Sequence, residues 1–259
     1  MIKRPMLRTV QIVRRLIFSS TLILFPILFS PALAASQTGS GATVTFTLDF
    51  PNSQPEHYSI RVQSDGAGLY QSSGRLSAAS AETDPPETDT DDADPHDTIP
   101  GKTDPHENDS FALNFIVAAH LRQKIFELAA KAGYFQKDVD SHHKGLAFTG
   151  KKTLGYKDAE RNGESTYNYS SIAPVQELTS LMQGLGSTLE FGRRLKFDLH
   201  YQKLALDEEL KRMEEIAHDH QLIEVAAIQP ILDQIINDPS VINVTRARAQ
   251  RLLEGAGVR

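Results

Sequence analysis

The 259-residue chain contains no cysteine. That excludes a disulfide framework, a thiolate metal site and a lipid anchor on a cysteine after a leader. No G-x-S-x-G turn, phosphate loop, H-E-x-x-H or G-x-G-x-x-G is present. Each of those motifs carries a specific mechanism. Their absence makes a non-catalytic protein the expectation and leaves an enzyme only if its groups converge from scattered positions. Net positive charge is missing too: the formal charge is −6, so there is no global basic field for nucleic acid.

The charge is uneven. Lys3, Arg4, Arg8, Arg14 and Arg15 form a basic head, followed by the apolar run "LIFSSTLILFPILFSPALA" at 16–34. Ala32-Leu33-Ala34 then supplies an A-x-A site. Basic head, apolar middle and small-residue end define an export signal, with a mature chain starting at Ala35 and a periplasmic or secreted destination. Retained, the run would be an anchor, but Pro26 and Pro31 interrupt it. Removing the five leader cations takes the charge to −11, of which −10 lies in "ETDPPETDTDDADPHDTIPGKTDPHENDS" at 82–110. A calcium loop would set carboxylates at alternate positions around a glycine and close on a glutamate. Asp89, Asp91, Asp92 and Asp94 are dense, but no glycine or closing Glu follows at those positions. High charge and five prolines cannot support a packed core, so a disordered acidic insertion at 78–109 is expected between two strands of one sheet.

Around the insertion, apolar residues recur with period two. "TVTFTLDF" (43–50), "HYSIRV" (57–62) and "SFALNFIV" (110–117) read as half-buried strands. Asp65-Gly66 marks a hairpin after the second, with either a two-residue loop or a glycine bulge. Leu121, Ile125, Leu128 and Ala132 make a helical stripe that Gly133 ends. "GLAFTGKKTLGYKD" and "ESTYNYSS" read as two further strands. From Pro174 a heptad seam runs Val175, Leu178, Met182, Leu185, Leu189, Gly192, Lys196, Leu199, Lys203, Leu206, Leu210, Met213, Ala217. It predicts one long helix, bent near Gly192, whose second half packs on other helices. Asp207–Lys211 and Glu208–Arg212 are expected as i,i+4 pairs on its outer face. "QLIEVAAIQPILDQIIN" predicts a helix kinked at Pro230, and Asp238-Pro239 the capped start of a last one ending at Gly255. The organisation is then a leader at 1–34, an α+β domain with a small antiparallel sheet at 35–173, and a helical bundle at 174–259.

Few residues suggest chemistry. Asp138, Asp140, His142 and His143 form the tightest metal-like cluster, but adjacent loop histidines point apart, and no metal or cofactor is expected. His218 and His220 suit a helix C-terminus. Arg193, Arg194 and Lys196, with Arg246, Arg248 and Arg251, could converge on an anionic partner or simply lie along helix surfaces. "YSIRVQSDGAGLY", Gly74 and the helix end "FELAAKAGYF" give the pattern Y-x-[VI]-x-[VI], D-G, an aromatic and a helix closing on A-x-F/Y-F. Over residues 43–190 this resembles small bacterial exported domains laid out like the emfourin-type metalloprotease inhibitors. The resemblance implies strands, helix, strands, helix, and a protease-inhibitor-like module as one functional alternative. The acidic insertion and the helices after 190 lie outside that pattern, and no inhibitory residue carries over. The leading expectation is an exported protein that binds another protein, with a periplasmic hydrolase as a third reading. Deleting residues 80–108 and joining the strands through a short glycine-containing turn should leave the thermal midpoint within a few degrees. Loss of secondary structure by circular dichroism on that deletion would make the acidic segment structural.

Overall fold

The computed structural model describes residues 41–74, 110–219 and 222–257, which fall within one compact unit, Thr38–Arg259. The leader at 1–34 and the insertion at 78–109 lie outside the described residues. The class is α+β. Six strands form one antiparallel sheet: β1 (Thr43–Asp49), β2 (His57–Gln63), β3 (Ala67–Ser73), β4 (Phe111–Ile116), β5 (Lys151–Lys157) and β6 (Asn162–Tyr167). Their order is β4-β3-β2-β1-β5-β6. The helices among the described residues are α1 (Ala119–Lys131), α2 (Ala173–Tyr201), α3 (Leu206–His218), α4 (Gln229–Asn237) and α5 (Asn243–Gly255).

Alternation decides which face of the sheet is covered. Successive side chains of a strand point to opposite faces. The register therefore builds three inward rows, each crossing the whole sheet. One runs Phe115, Gly68, Val62, Val44, Tyr156, Gly163, and the next Leu113, Tyr70, Ile60, Phe46, Leu154, Ser165. The third runs Phe111, Ser72, Tyr58, Leu48, Lys152, Tyr167 and is the polar one. Outward positions such as Arg61, Gln71, Asn114, Lys157 and Glu164 are exposed, as expected of an antiparallel sheet solvated on one side. Gln63 and Ala67 close the β2–β3 hairpin around Ser64, Asp65 and Gly66, a three-residue loop. Gly66 takes φ +100°, a conformation open to glycine, and its N–H donates to the Gln63 carbonyl at 2.9 Å. Strands β3 and β4, which flank the acidic insertion in sequence, pair directly, Ser72 opposite Phe111.

Helix α1 buries Leu121, Ile125, Leu128 and Ala129 and packs against α2. Helix α2 buries Val175, Leu178, Met182, Leu185 and Leu189, the first half of the heptad seam. The single long helix does not form. The chain leaves helical geometry at Gln202 (φ −142°, ψ 58°), turns through Ala205, and α3 packs back against α2. Leu206, Leu210 and Met213 can all reach zero exposure this way, which a straight continuation into solvent would deny them. Gly192 is no bend. It sits inside α2, where a Cβ would come within 2.6 Å of the Ile228 side chain, so glycine is what lets Ile228 pack against the helix.

Three further expectations are corrected. Pro230 stands in the first turn of α4, after a 3-10 turn at Val225–Ile228, where its missing N–H costs nothing, so it starts a helix instead of kinking one. Asp238 holds a tight turn by accepting from the Ser240 N–H (2.8 Å) and hydroxyl (2.6 Å), and α5 begins only at Asn243. The expected i,i+4 pairs on α3 give way to other partners: Asp207 accepts from Thr245 and Arg248 on α5, and Arg212 turns to Glu209, three residues before it. Leu210→Ala should cost about 2–5 kcal/mol in chemical denaturation, the range for truncating a fully buried leucine. The midpoint should not move on hundredfold dilution, since α3 packs within one chain. A midpoint that falls with dilution would instead assign the α3 seam to a dimer.

Candidate functional site

Helix α2 lies along the polar inward row. Its Thr179 hydroxyl meets Tyr167 on β6, Gly186 passes over the ring of Tyr58 on β2, and Glu190 and Arg193 stand over Tyr70 and Ser72 on β3. From 179 to 193 a helix rises roughly 21 Å at 1.5 Å per residue. From β6 to β3 the sheet steps four strand spacings, roughly 19 Å. The helix therefore runs across the strands, and Tyr167, Tyr58 and Ser72 of the row each meet their own position on α2.

Beside this crossing lies a cleft of about 470 Å³, walled by Phe50, Tyr58, Tyr70 and Phe191 with Glu190 and Arg194 among its polar groups. Glu190 is buried. Its Oε2 accepts from the Tyr70 hydroxyl at 2.8 Å and from Ser72 at 3.4 Å, and Arg193 Nη1 approaches Oε1 at 3.4 Å. Arg193 Nη2 also donates to the Gly74 carbonyl at 2.7 Å. Burial holds the Glu190 carboxyl above its ordinary value, against the opposing pull of the Arg193 charge and the Tyr70 hydrogen bond. Burial, then the Glu190 charge, pushes the Tyr70 phenol far up, so it stays a donor. A second set joins α2 to α3. Arg194 donates to Glu209, lies over the Phe191 ring at 4.5 Å, and shares Glu209 with Arg212 (3.2 Å). Next to it, burial and then the charge of Glu209 push Asp198 up to about 6, Arg194 pulling the other way.

The residues singled out from sequence behave differently. His142 turns to Asp138 (2.7 Å), His143 to the Lys144 carbonyl (3.1 Å), and Asp140 accepts from the His142 and Asn168 N–H groups. Among the described residues no three His, Asp or Glu gather as a metal site, these four included. His218 is exposed beside Asp219, and His220 lies outside the described residues. The two arginine clusters do not converge, because α3 stands between them. Its Glu209 takes Arg194 and Arg212, while its Asp207 and Glu214 take Arg248 and Arg251. Lys196 lies over the Phe111 ring at 5.8 Å. Glu190, Tyr70, Ser72 and Lys152 were not singled out, although period-two alternation already places Ser72 and Lys152 inward.

A second feature sits at the far end of α2. Lys203 in the α2–α3 turn donates to Asp238 (2.7 Å) and Ser240 in the α4–α5 turn. Asp207 meets Thr245 (3.1 Å) and Arg248 (3.2 Å) one helical turn later. These ties hold the two turns side by side, and both present large apolar side chains to solvent: Tyr201 65%, Leu204 88%, Ile242 56% and Val244 50% exposed. Comparison with family models, with curated proteins and with solved structures finds no match to this chain.

The Asp198 shift fixes a pH dependence. A carboxyl raised to about 6 in the folded state, above roughly 3.9 unfolded, keeps its proton longer when folded. Its contribution to stability is full below the unfolded value and is lost as pH rises through about 6. Asp198→Asn should therefore raise the thermal midpoint at pH 8 and change it little at pH 4. Equal effects at the two pH values would show that the carboxyl is not raised.

Proposed function

We propose that this chain is an exported, non-catalytic protein that binds another protein through the apolar end of its helical layer. The carrying observation is the cluster of Tyr201, Leu204, Ile242 and Val244, held in place by Lys203 and Asp207 yet covered by nothing among the described residues. Contiguous apolar surface of this kind marks interaction sites, and a central apolar anchor with a polar rim is the usual anatomy of a protein interface. The rim is cationic: Lys196 lies on the last turns of α2, and Arg246 on α5 has a buried Nε with no hydrogen-bond partner. The partner's matching surface is apolar with an acidic border. Export rests on the leader at 1–34. Among the described residues no helix is long and apolar enough to cross a membrane. Non-catalytic action is favoured because the charged groups of the aromatic cleft are engaged with one another: Glu190 with Arg193 and Tyr70, Arg194 and Arg212 with Glu209.

A photo-crosslinking residue at 204 should give one discrete adduct in the exported fraction of the native host. Ile242→Asp should remove that adduct without shifting the thermal midpoint, since Ile242 is exposed. An adduct that survives Ile242→Asp, or one obtained equally from Gln71 on the open sheet face, would sink the assignment. An adduct of twice the chain mass would name a second copy as the partner.

A further inference from the structure

The opposite end of α2 carries an unexplained charge. Lys152 sits on the inward face of β5 at 5% exposure. Its ammonium donates to the carbonyls of Thr149 (3.1 Å), Gly150 (3.2 Å) and Asn168 (3.0 Å) and to the Thr149 hydroxyl (2.9 Å). All four acceptors are neutral. No carboxylate among the described residues pairs with it; Asp140, which touches the same strand end, accepts from the Asn168 N–H instead. A buried cation is ordinarily paired. Burial alone lowers the Lys152 amine from its usual value, as expected where no counter-ion opposes the loss of solvent.

Lys152 lines a cleft of about 390 Å³ between the β5 and β6 ends and the first turns of α2. That size falls within the range of small-molecule sites. The rest of the lining includes the Tyr167, Thr179 and Ser180 hydroxyls and the Gln176 and Gln183 amides, with no acidic residue. Tyr169, 45% exposed, stands in the lining and gives the mouth an apolar ring.

We propose that this cleft binds a small apolar monocarboxylate, whose carboxylate supplies the counter-ion that Lys152 lacks and whose hydrocarbon body lies on Tyr169. Four acceptors crowd three ammonium protons, so an incoming carboxylate oxygen can displace the longest contact, the Gly150 carbonyl at 3.2 Å. A single cation among neutral donors suits one negative charge. Phosphate recognition calls for the forked donors of arginine or several cations, and none lines this cleft.

Calorimetric titration of the purified protein with sodium octanoate should show saturable one-to-one binding, with octanol at least tenfold weaker. Ser180→Asp places an internal carboxylate in the cleft at an exposed helix position. It should abolish octanoate binding while leaving the thermal midpoint unchanged. Lys152→Met should also abolish binding; if that variant fails to fold, Ser180→Asp carries the test. No saturation at millimolar octanoate, equal binding of octanol, or binding that persists in Ser180→Asp would each overturn the proposal. So would inorganic phosphate or a peptide C-terminus binding there when octanoate does not.

Discussion

Helix α2 has to lie across the strands, and most of the molecule is arranged around that crossing. Its rise over two heptads nearly equals four strand spacings, so Thr179, Gly186 and Arg193 meet β6, β2 and β3 in turn along one row. Val175, Leu178, Met182, Leu185 and Leu189 supply the adhesion. Each buried side chain of this kind is worth about 1.5–3 kcal/mol. The polar contacts at Thr179, Glu190 and Arg193 do something else. A buried ion pair adds little net stability, but a slide of one helical turn would part Glu190 from Tyr70 and Ser72, and Arg193 from the Gly74 carbonyl. Apolar burial holds the helix on the sheet, and the polar contacts choose where along the row it stops.

The same division holds on the other side of α2. Helix α3 folds back to bury Leu206, Leu210 and Met213, and its carboxylates face two directions. Glu209 receives arginines from α2 and from its own next turn, while Asp207 and Glu214 receive them from α5. Of the cations that looked like a possible anion site, Arg194, Arg248 and Arg251 are thus spent on fastening α3 between its neighbours. Exposed pairs are worth about 0–1 kcal/mol. The partly buried ones here act mainly through geometry, because Glu209, Glu214 and Arg248 each hold two partners at once and so exclude another placement of α3.

Much of this was legible in the sequence. Period two identified β1, β2 and β4, and Asp65-Gly66 announced the hairpin that leads into β3. The loop length became clear only from the Gln63 and Ala67 pairing, because sequence alone allows either register. The α2–α3 break was invisible for a specific reason. Leu199 and Leu206 are seven apart, so the turn at 202–205 preserves the heptad phase that a continuous helix would have. The four carboxylates and histidines of the 138–143 loop attracted attention through composition, yet they satisfy local backbone groups. Lys152 and Glu190 escaped notice because inward-facing charges run against the pattern used to find the core, and only the row of facing residues shows what each one answers.

The two open surfaces lie at the two ends of α2, about 40 Å apart by its 29 residues. One is a polar cleft around a buried cation, the other an apolar cluster with a cationic rim. Coupling between them would require α2 to adopt a second arrangement that one ligand prefers over the other. Sliding is opposed by Glu190 and Arg193 against Tyr70, Ser72 and Gly74, and rotation by the five apolar residues of the seam. A helix fixed in both senses acts as a spacer. Occupancy at its N-terminal end would then leave the C-terminal cluster as it was, and a ligand proposed for one end would bind with an affinity independent of the other.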